Sequence, residues 1–582
     1  MFVLKYPPMN SLLDELLKLT KEPKIAYFSM EIGIQNDIPT YSGGLGVLAG
    51  DTIKSGADLK LPMIAVTLIS KKGYFRQELD KKGKQIAHPV FWDPSMYMAL
   101  LPTKVTVQIE GRDISVQAWQ YNVKSLTSGS VPIFFLDTDV EGNTPEDREI
   151  TSYLYGDGLA YRLKQEIVLG IGGVRMLHEL GFEIKKYHMN EGHSSLLTIE
   201  LLNMYKRPIE DVWDEKLVWD IDKVKDLCVF TTHTPVEAGH DNFPYDLVEM
   251  IMGEPIPLNV LKELGGPHHL NMTLLGLNLS EYINGVAKKH SEVSRNMFPG
   301  YEINAITNGV HSYTWTCESF KKIYDKYLPG WANEPEVFVR IGRIPDEEIW
   351  DAHVEAKKNL FDYIKGETGV EFDIDTLTIG FARRATAYKR ADLLFSDIER
   401  LEKIGAEKLQ IVYAGKAHPQ DDTGKKVIEK IFSFKEKLKN KIKMAYINNY
   451  DMDIALKLVS GVDVWLNTPL RPREASGTSG MKAAHNGVLN FSVLDGWWIE
   501  GHIEGFTGWS IGPVPTEEIL EDTMDTRDAD DLYNKLEYII IPIFYTNRHL
   551  WVRMMQNAIG KNAYYFNSHR MMRRYVTEAY IR

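Results

Sequence analysis

Short apolar runs rich in β-branched residues alternate with amphipathic stretches in two long parts of the chain. This alternation is typical of β-α-β units, which build parallel sheets. In the first part, residues 25–29 and 63–69 are predicted strands, and the glycines of 43–46 begin a helix between them. In the second part, strands are predicted at 377–381, 409–414, 442–447 and 462–467, with a helix over 424–439.

At roughly 150 residues per domain, the 582 residues of the chain allow two large domains. We place these at 1–312 and 313–582, with mainly helical structure in 315–375 and 532–582. The predicted fold class is α/β: two Rossmann-like domains face each other across a central cleft, and the C-terminal helices pack back. Ligands of such sheets bind at the carboxyl ends of the strands, so the cleft is the expected site.

The net charge of −13 is unfavourable for binding nucleic acid or an anionic membrane, so neither is an expected partner. Cys228 and Cys317 are the only cysteines, and we expect structural thiols, because a chain of this size buries a core without a disulfide. Residues 1–10 lack a signal-peptide pattern. No apolar run approaches the roughly 18–20 residues of a membrane helix, and the expected location is cytoplasmic.

A local basic cluster directly follows the predicted strand 377–381 in this acidic chain. Its cations are Arg383, Arg384, Lys389 and Arg390. Like charges this close repel one another unless an anion neutralises them, and guanidinium groups donate to phosphate in pairs. The sequence therefore favours phosphate binding here over a solvated basic face.

Two glycine-rich segments offer backbone N–H groups to anions. Gly43-Gly44-Leu45-Gly46 follows a strand and begins a helix, although a tight turn without a ligand explains it equally well. Segment 473–487 runs from strand 462–467 into a short helix and carries Lys482 beside small hydroxyl residues. A phosphate nest beside a lysine suits pyridoxal phosphate, whose aldehyde forms a Schiff base with the amine. A plain helix N-terminus with a surface lysine would have the same pattern.

Three polar clusters follow apolar runs at the expected mouth of the cleft, at 188–193, 232–241 and 307–311. Their histidines and carboxylates match no common zinc spacing, so no metal is expected. Asn, His and Glu side chains at such positions suit hydroxyl-rich ligands such as sugars.

With these motifs in this order, the sequence resembles the glycogen, starch and maltodextrin phosphorylases, which are pyridoxal-phosphate glycosyltransferases of the GT-B fold. The most specific match is Glu474-Ala-Ser-Gly-Thr-Ser-Gly-Met-Lys482, which is close to the cofactor-lysine motif of that family. The resemblance implies phosphorolysis of α-1,4-glucans from the non-reducing end, with release of α-glucose 1-phosphate and retention of configuration. It also implies that the cofactor phosphate relays a proton to orthophosphate.

The resemblance assigns roles residue by residue. The catalytic group is Lys482, Arg384, Lys389 and His233, the last through its main-chain carbonyl. The cofactor pyridoxal 5′-phosphate would be held by Lys482, Gly477, Thr478, Arg383, Trp315 and Tyr450. Orthophosphate, glucose 1-phosphate or the α-glucan would contact Gly43, Gly44, Asn308, Tyr388, Glu474 and Ser476. The family also implies a homodimer or higher homo-oligomer.

The sequence departs from the family pattern at Ser479-Gly480, where Gly-Asn is commoner, and at His485, where Leu or Met is usual. We interpret both as subfamily differences. The chain is shorter than the animal and plant relatives, which puts phosphoserine or nucleotide control in doubt. The alternative function is a nucleotide-sugar-dependent glucan synthase of the same fold, but those enzymes carry a second glutamate where this chain has Lys482. A glycoside hydrolase would need two carboxylates across the scissile bond, and no convincing pair is present.

Overall fold

The computed structural model describes residues 20–156, 158–514 and 521–581. The prediction about residues 1–10 lies outside these ranges. Among the described residues, two large sheets and two small two-stranded sheets are formed. The strands are β1 (Lys24–Phe28), β2 (Met63–Leu68), β3 (Arg76–Leu79), β4 (Gln85–His88), β5 (Ala99–Ile109), β6 (Arg112–Lys124), β7 (Ser130–Asp137), β8 (Ile184–Asn190), β9 (Cys228–Thr231), β10 (Asn242–Pro244), β11 (His269–Asn271), β12 (Tyr282–Gly285), β13 (Asn304–Ala305), β14 (Leu377–Ala382), β15 (Leu409–Ala414), β16 (Lys443–Ile447), β17 (Val464–Asn467), β18 (Leu489–Val493) and β19 (Gly508–Ile511).

Helices cover the faces of both large sheets and fill the segments between strands. The α-helices are Gly44–Asp58, Pro145–Arg148, Gly158–Ile167, Gly173–Glu179, Leu197–Met204, Ile221–Leu227, Tyr245–Met252, Leu258–Gly265, Met272–Asn278, Lys288–Met297, Ser312–Trp315, Glu318–Tyr327, Asp346–Thr368, Ile398–Gly405, Asp422–Leu438, Met452–Gly461, Ser479–Ala484, Trp498–Gly501, Glu521–Lys535, Ile541–Thr546, Arg548–Asn557 and Ser568–Tyr575. Wider π-helical turns continue some of them, at Val168–Gly172, Leu536–Ile540, Ala558–Ala563 and Val576–Tyr580.

The first large sheet, here the N-terminal sheet, has nine strands in the order β13-β12-β9-β8-β1-β2-β7-β6-β5. Its strands are parallel from β13 to β7, and β6 and β5 are antiparallel additions at one edge. Every residue of β1 and β2 is buried, as expected for parallel strands covered on both faces. The strand order reverses at β1, which lies between β2 and β8.

The second large sheet, here the C-terminal sheet, has six parallel strands in the order β16-β15-β14-β17-β18-β19. Its order reverses between β14 and β17. In open parallel sheets the loops after the strands part at such a reversal and leave a crevice for ligands. The predicted α/β fold class with parallel sheets is confirmed, and the architecture is consistent with a GT-B-like fold.

The predicted elements lie close to the observed ones. Strand β15 has the predicted bounds, and β1, β2, β14, β16 and β17 differ by one or two residues at an end. The predicted helix over 424–439 is Asp422–Leu438, capped by the Asp421 side chain, which accepts the Gly424 N–H. Segment 315–375 is mainly helical, as predicted.

The C-terminal helices pack back, as expected, and they reach the N-terminal sheet. Met571, Met572, Tyr575 and Tyr580 belong to the same apolar cluster as Tyr27 of β1. The Tyr580 hydroxyl lies 2.7 Å from His188 Nδ1 of β8. Residues near 580 therefore complete a core that begins near residue 25.

Both cysteines are free thiols. Burial raises the pKa of the Cys228 thiol, so it is an inert apolar core residue. In the described part of the chain, we find no helix with the length and apolar character needed to cross a membrane.

Candidate active site

A cavity of about 620 Å³ lies between loops that follow strands of both large sheets. All the predicted site residues line it: Gly43, Gly44, His233, Asn308, Trp315, Arg383, Arg384, Tyr388, Lys389, Tyr450, Glu474, Ser476, Gly477, Thr478 and Lys482. The topology explains this convergence. Arg383 and Arg384 directly follow β14, and segment 473–482 follows β17, on either side of the strand-order reversal. The glycine loop and His233 follow β1 and β9 of the other sheet.

Two of the predicted cations share one buried carboxylate. Lys389 Nζ donates to Glu474 Oε2, and Arg383 Nη1 lies 2.9 Å from the same oxygen. Burial disfavours the charged form of Glu474, but Arg383 and Lys389 outweigh it and lower the pKa of Glu474 to about 2. The three side chains therefore form a charged group with one net positive charge facing the cavity.

Arg384 differs from its neighbours because it forms no ion pair with any described residue. Its Nη2 donates to Ser42 Oγ at 2.9 Å. A Cβ built on Gly43 would lie 2.8 Å from the same nitrogen. The guanidinium is thus placed by the glycine loop, and its charge is left for an anion in the cavity.

Arg390 does not join this site, although the sequence grouped it with the other three cations. Its guanidinium pairs with Asp528 and Asp525, each at 2.6 Å, and donates to the Thr468 carbonyl at 2.9 Å. The chain turns at Arg390 with a φ of 44°, which directs this side chain away from the cavity. Arg390 ties the loop after β14 to the helix Glu521–Lys535.

Lys482 lies in the helix Ser479–Ala484 with its side chain buried. Its Nζ is 3.7 Å from the centroid of the Trp315 ring, and it forms no hydrogen bond or ion pair with a described residue. Burial lowers the pKa of Lys482 to about 8, Asp51 acting against this shift and Lys54 adding to it. At pH 7 an amine with this pKa is about one-tenth neutral, a much larger share than for an ordinary lysine, and the neutral amine is the form that condenses with an aldehyde.

Several buried polar atoms of the cavity have no hydrogen-bond partner among the described residues. They show whether the predicted cofactor fits the site. These atoms include Ser476 Oγ, Thr386 Oγ1 and Asn308 Oδ1. Orphaned buried polar atoms are costly unless a ligand satisfies them. Gly477 has a φ of 72°, and a Cβ there would approach Glu474 Oε1 at 3.3 Å and Arg383 Nη2 at 3.5 Å. These groups fit pyridoxal phosphate: the Lys482 amine can hold its aldehyde, and the turn around Gly477 and the Arg383 guanidinium can hold its phosphate.

His233 is held from both its backbone and its ring. Its N–H donates to Glu191 Oε2 at 2.7 Å, and its Nε2 lies 2.7 Å from Asn190 Oδ1. Because an amide oxygen only accepts, Nε2 carries the proton. Burial lowers the pKa of His233 well below its ordinary value, so the ring is neutral and unsuited to donate a proton as an imidazolium.

Glu31 is a site residue that the sequence reasoning missed. Its Oε2 accepts the N–H groups of Ser42 at 2.6 Å and Gly43 at 3.2 Å, and its Oε1 accepts the Tyr155 hydroxyl. The Gly43 N–H therefore already has an acceptor in Glu31, and its contact with phosphate stays a prediction. A Cβ on Gly44 would meet no atom within 4 Å, so Gly44 is the glycine that faces open space. The sequence feature that could have identified Glu31 as a site residue is its position just after strand β1.

Two cations of the cavity were also missed: Arg162 and Lys416. Arg162 pairs with Asp241 and Glu166, each at 2.9 Å. Burial lowers the pKa of Lys416 to about 8, and the residue follows β15 as Arg383 follows β14. Lys416 thus adds a cation of variable charge to the C-terminal side of the cavity.

The departures from the family pattern have local explanations. His485 is fully buried, its Nδ1 is 2.8 Å from the Met481 carbonyl and its Nε2 is 3.0 Å from Ser312 Oγ. Burial lowers the pKa of His485 to about 4, so it is a neutral core residue. Ser479 Oγ accepts the Trp465 indole N–H at 3.0 Å. Of these three residues, Ser479 lines the cavity, whereas Gly480 and His485 are not among its lining residues.

One cluster in the described part of the chain has the close spacing of metal ligands: Asp58, His311 and His569. His311 Nδ1 accepts the Thr314 N–H as a helix cap at 3.3 Å, so its Nε2 carries the proton and donates to Asp58 Oδ2 at 2.8 Å. A protonated nitrogen is not a metal ligand. Burial disfavours the charged form of Asp58, but the hydrogen bonds from His311 and His569 lower its pKa below the ordinary range. The cluster is a hydrogen-bonded buried charge, and we propose no metal there.

Comparison with known proteins agrees with this geometry. The sequence model of the carbohydrate phosphorylases matches residues 256–505. The chain is 42% identical to a maltodextrin phosphorylase of Thermococcus litoralis, over 96% of this chain and 70% of the relative. It is 36% identical to a glycogen phosphorylase of Aquifex aeolicus, over 96% of this chain and 86% of the relative. An uncharacterized protein of Methanocaldococcus jannaschii is 31% identical over 95% of this chain and 99% of its own length. The chain therefore belongs to the carbohydrate phosphorylase family.

Proposed function

We propose that the chain catalyses phosphorolysis of α-1,4-glucans from the non-reducing end, releasing α-D-glucose 1-phosphate with retention of configuration. The observation that carries this proposal is the shared cavity of Lys482 and Arg384. It combines a reactive buried amine with a cation that has no ion-pair partner among the described residues. The names of the relatives, maltodextrin phosphorylase and glycogen phosphorylase, support an α-glucan as the substrate class.

The cofactor of the proposal is pyridoxal 5′-phosphate, held covalently by Lys482. Gly477, Thr478 and Arg383 would receive its phosphate, and Trp315 and Tyr450 would enclose its ring. When bound, the cofactor supplies a phosphate group that can exchange a proton with orthophosphate. Burial raises the pKa of the Tyr450 hydroxyl, so this residue stays neutral beside the ring.

Orthophosphate would bind between Arg384 and Lys389. Two phosphates in one cavity repel each other strongly where water is excluded, and converging cations offset this repulsion. Arg384 brings a full charge, because no described carboxylate pairs with it. Lys389 shares its charge with Glu474, and Arg383 shares the same carboxylate from the cofactor side.

The terminal glucosyl unit would be bound by Asn308, Tyr388, Glu474 and Ser476. The main-chain carbonyl of His233 would lie at the anomeric carbon, where it can stabilise positive charge that develops as the glycosidic bond breaks. Because Glu191 and Asn190 fix His233 at its backbone and ring, this carbonyl is preorganised. The division into domains at 312/313, a cytoplasmic location and a homo-oligomeric state stay predictions.

The decisive test is dependence on orthophosphate. Purified protein is incubated with maltodextrin, with and without orthophosphate, and the products are separated and quantified. We expect glucose 1-phosphate only when orthophosphate is present, with the α configuration by NMR. Free glucose formed without phosphate would indicate a hydrolase. Consumption of a nucleotide sugar, with no response to orthophosphate, would favour the glucan synthase alternative.

A further inference from the structure

The helix Gly44–Asp58 carries a charged face that the proposed reaction does not use. Asp51, Lys54 and Asp58 stand three and then four positions apart, so they share one side of the helix. That side packs against the segment around Trp315 instead of solvent. Asp51 is 1% exposed, and a carboxylate at such a position needs a compensating group.

The charge of Asp58 is compensated by hydrogen-bond donors that do not contact Asp51. Asp58 accepts Ser125 Oγ at 2.6 Å and His311 Nε2 at 2.8 Å, and His569 Nε2 lies 3.1 Å away. Lys54 lies between the two carboxylates of its own face and donates to Thr314 Oγ1 at 3.3 Å. Burial lowers the pKa of Lys54, and Asp51 and Asp58 oppose that shift.

Asp51 has a neutral hydrogen-bond donor only. Among the residues that the structure describes, the Trp315 indole alone donates to its side chain, at 2.8 Å to Oδ2 and 3.0 Å to Oδ1. The face of that same indole receives Lys482 Nζ at 3.7 Å from the ring centroid. A carboxylate that accepts from the ring edge makes the ring more electron-rich, which strengthens the attraction of a cation at its face.

The other charged groups near the Lys482 helix are engaged elsewhere. On the packed helix Met452–Gly461, Asp453 is exposed and Lys457 lies over the Tyr363 ring. Lys561 of Ala558–Ala563 is exposed, and His485 is bound to Met481 and Ser312. Burial disfavours a positive charge on Lys482, and of the nearby charged side chains Asp51 favours that charge and Lys54 opposes it.

We propose that Asp51 is the counter-ion of Lys482: held by the Trp315 indole, its carboxylate stabilises positive charge on the Lys482 nitrogen, both in the free amine and when that nitrogen carries the cofactor. The second half of this statement rests on the proposed cofactor. Asp51 is a positioning residue, because it acts on the charge of Lys482 across the Trp315 indole. The positive charge of Lys54 has the opposite effect and disfavours a positive charge on the Lys482 nitrogen.

The test uses the purified protein, Asp51→Asn and Lys54→Met, with absorption spectra recorded across pH. A pyridoxal chromophore is yellow when its linking nitrogen is protonated and absorbs in the near ultraviolet when it is neutral. For Asp51→Asn, which keeps an acceptor for Trp315, the yellow band should disappear at a pH about one to three units lower than in the parent protein. For Lys54→Met, the band should persist to higher pH.

Opposite shifts are the diagnostic feature, because general damage to the helix would move both variants in the same direction. Glu355→Gln, an exposed surface substitution, serves as the control and should leave the spectrum unchanged. An unchanged titration in Asp51→Asn, or shifts of one sign in both variants, would overturn the counter-ion role.

A protein that shows neither the yellow nor the near-ultraviolet band, and that borohydride does not modify at Lys482, would refute the proposed cofactor and leave the first half of the inference to be decided separately. In that case the Lys482 amine is titrated by competitive acetylation, with peptide mass spectrometry as the readout. Asp51→Asn should then lower the pH at which Lys482 becomes reactive, and Lys54→Met should raise it. Identical labelling curves for the three proteins would reject the counter-ion.

Discussion

Gly43 lies against the guanidinium of Arg384, so closely that a Cβ on Gly43 would come within 2.8 Å of Nη2. The two residues follow strands of different sheets, β1 and β14. The position of the Arg384 guanidinium is therefore set by a loop from the other half of the chain. Glu31 fixes that loop in turn, through the N–H groups of Ser42 and Gly43.

Replacing Gly43 with Ala should displace the Arg384 guanidinium. Gly43 has a φ of −166°, which alanine adopts without strain, so the effect comes from the added methyl group alone. We expect the KM for orthophosphate to rise about tenfold, equivalent to about 1.4 kcal/mol, with little change in glucan affinity. Gly366→Ala, where a Cβ meets nothing within 4 Å, is the matched control. A normal phosphate KM in the Gly43 variant would contradict the placement of Arg384.

Removal of the Arg384 guanidinium should weaken phosphate use much more than glucan binding. Charge-assisted hydrogen bonds are worth about 1.5–3 kcal/mol, so Arg384→Ala should lower kcat/KM for orthophosphate by one to two orders of magnitude. Glucan affinity, measured by calorimetry without phosphate, should hold. Arg384→Lys keeps the charge without the paired donors and should recover part of the loss. Equal losses for both ligands would argue against the assigned role.

Glu474→Gln should destabilise the fold in a pH-dependent manner. Removing one partner of a buried ion pair costs about 3–5 kcal/mol, and here Arg383 and Lys389 both lose their carboxylate. The pKa of Glu474 is about 2 when folded, below the roughly 4.3 of an unfolded glutamate. Its stabilisation is therefore fully present above about pH 5 and is lost as the pH falls toward 2.

Urea unfolding midpoints of the two proteins should accordingly differ most above about pH 5, approach each other as the pH falls, and converge only near pH 2. Glu371→Gln provides a control, because that exposed carboxylate forms a surface pair with Lys365 and surface pairs contribute little. A constant gap between parent and Glu474→Gln across this pH range would show that the loss is steric in origin.

Tyr580→Phe should loosen the attachment of the C-terminal segment to the N-terminal sheet. Thr231 Oγ1 donates to Asn284 and so accepts from His188 Nε2, which leaves His188 Nδ1 as an acceptor for the Tyr580 hydroxyl. Deleting that hydroxyl orphans a buried nitrogen at a cost of about 1–3 kcal/mol. The thermal midpoint should fall, whereas Tyr538→Phe, at a site 68% exposed, should not change it. Equal midpoints would mean that water replaces the hydroxyl.

The sequence predicts those features that depend on neighbouring residues. The hydrophobic runs predicted strands β14 and β15. The positions of Arg384 and Lys482 after strands predicted that both belong to the site, because ligands bind at the carboxyl edge of a parallel sheet. It does not predict which groups meet across separate segments. The hydrogen bonds of Glu31 with the Gly43 N–H and of Asp51 with the Trp315 indole N–H, and the ion pair of Arg390 with Asp528, each depend on how such segments meet. For the same reason, charge density alone could not separate Arg384 from Arg390.

The return of the C-terminal helices to the N-terminal sheet has a consequence for biosynthesis. The cluster around Tyr27 remains open along one side until Met571, Met572, Tyr575 and Tyr580 have been made. The N-terminal sheet is thus completed by residues that are synthesised more than five hundred positions after β1. A chain broken off before residue 571 would expose apolar surface of that sheet to aggregation.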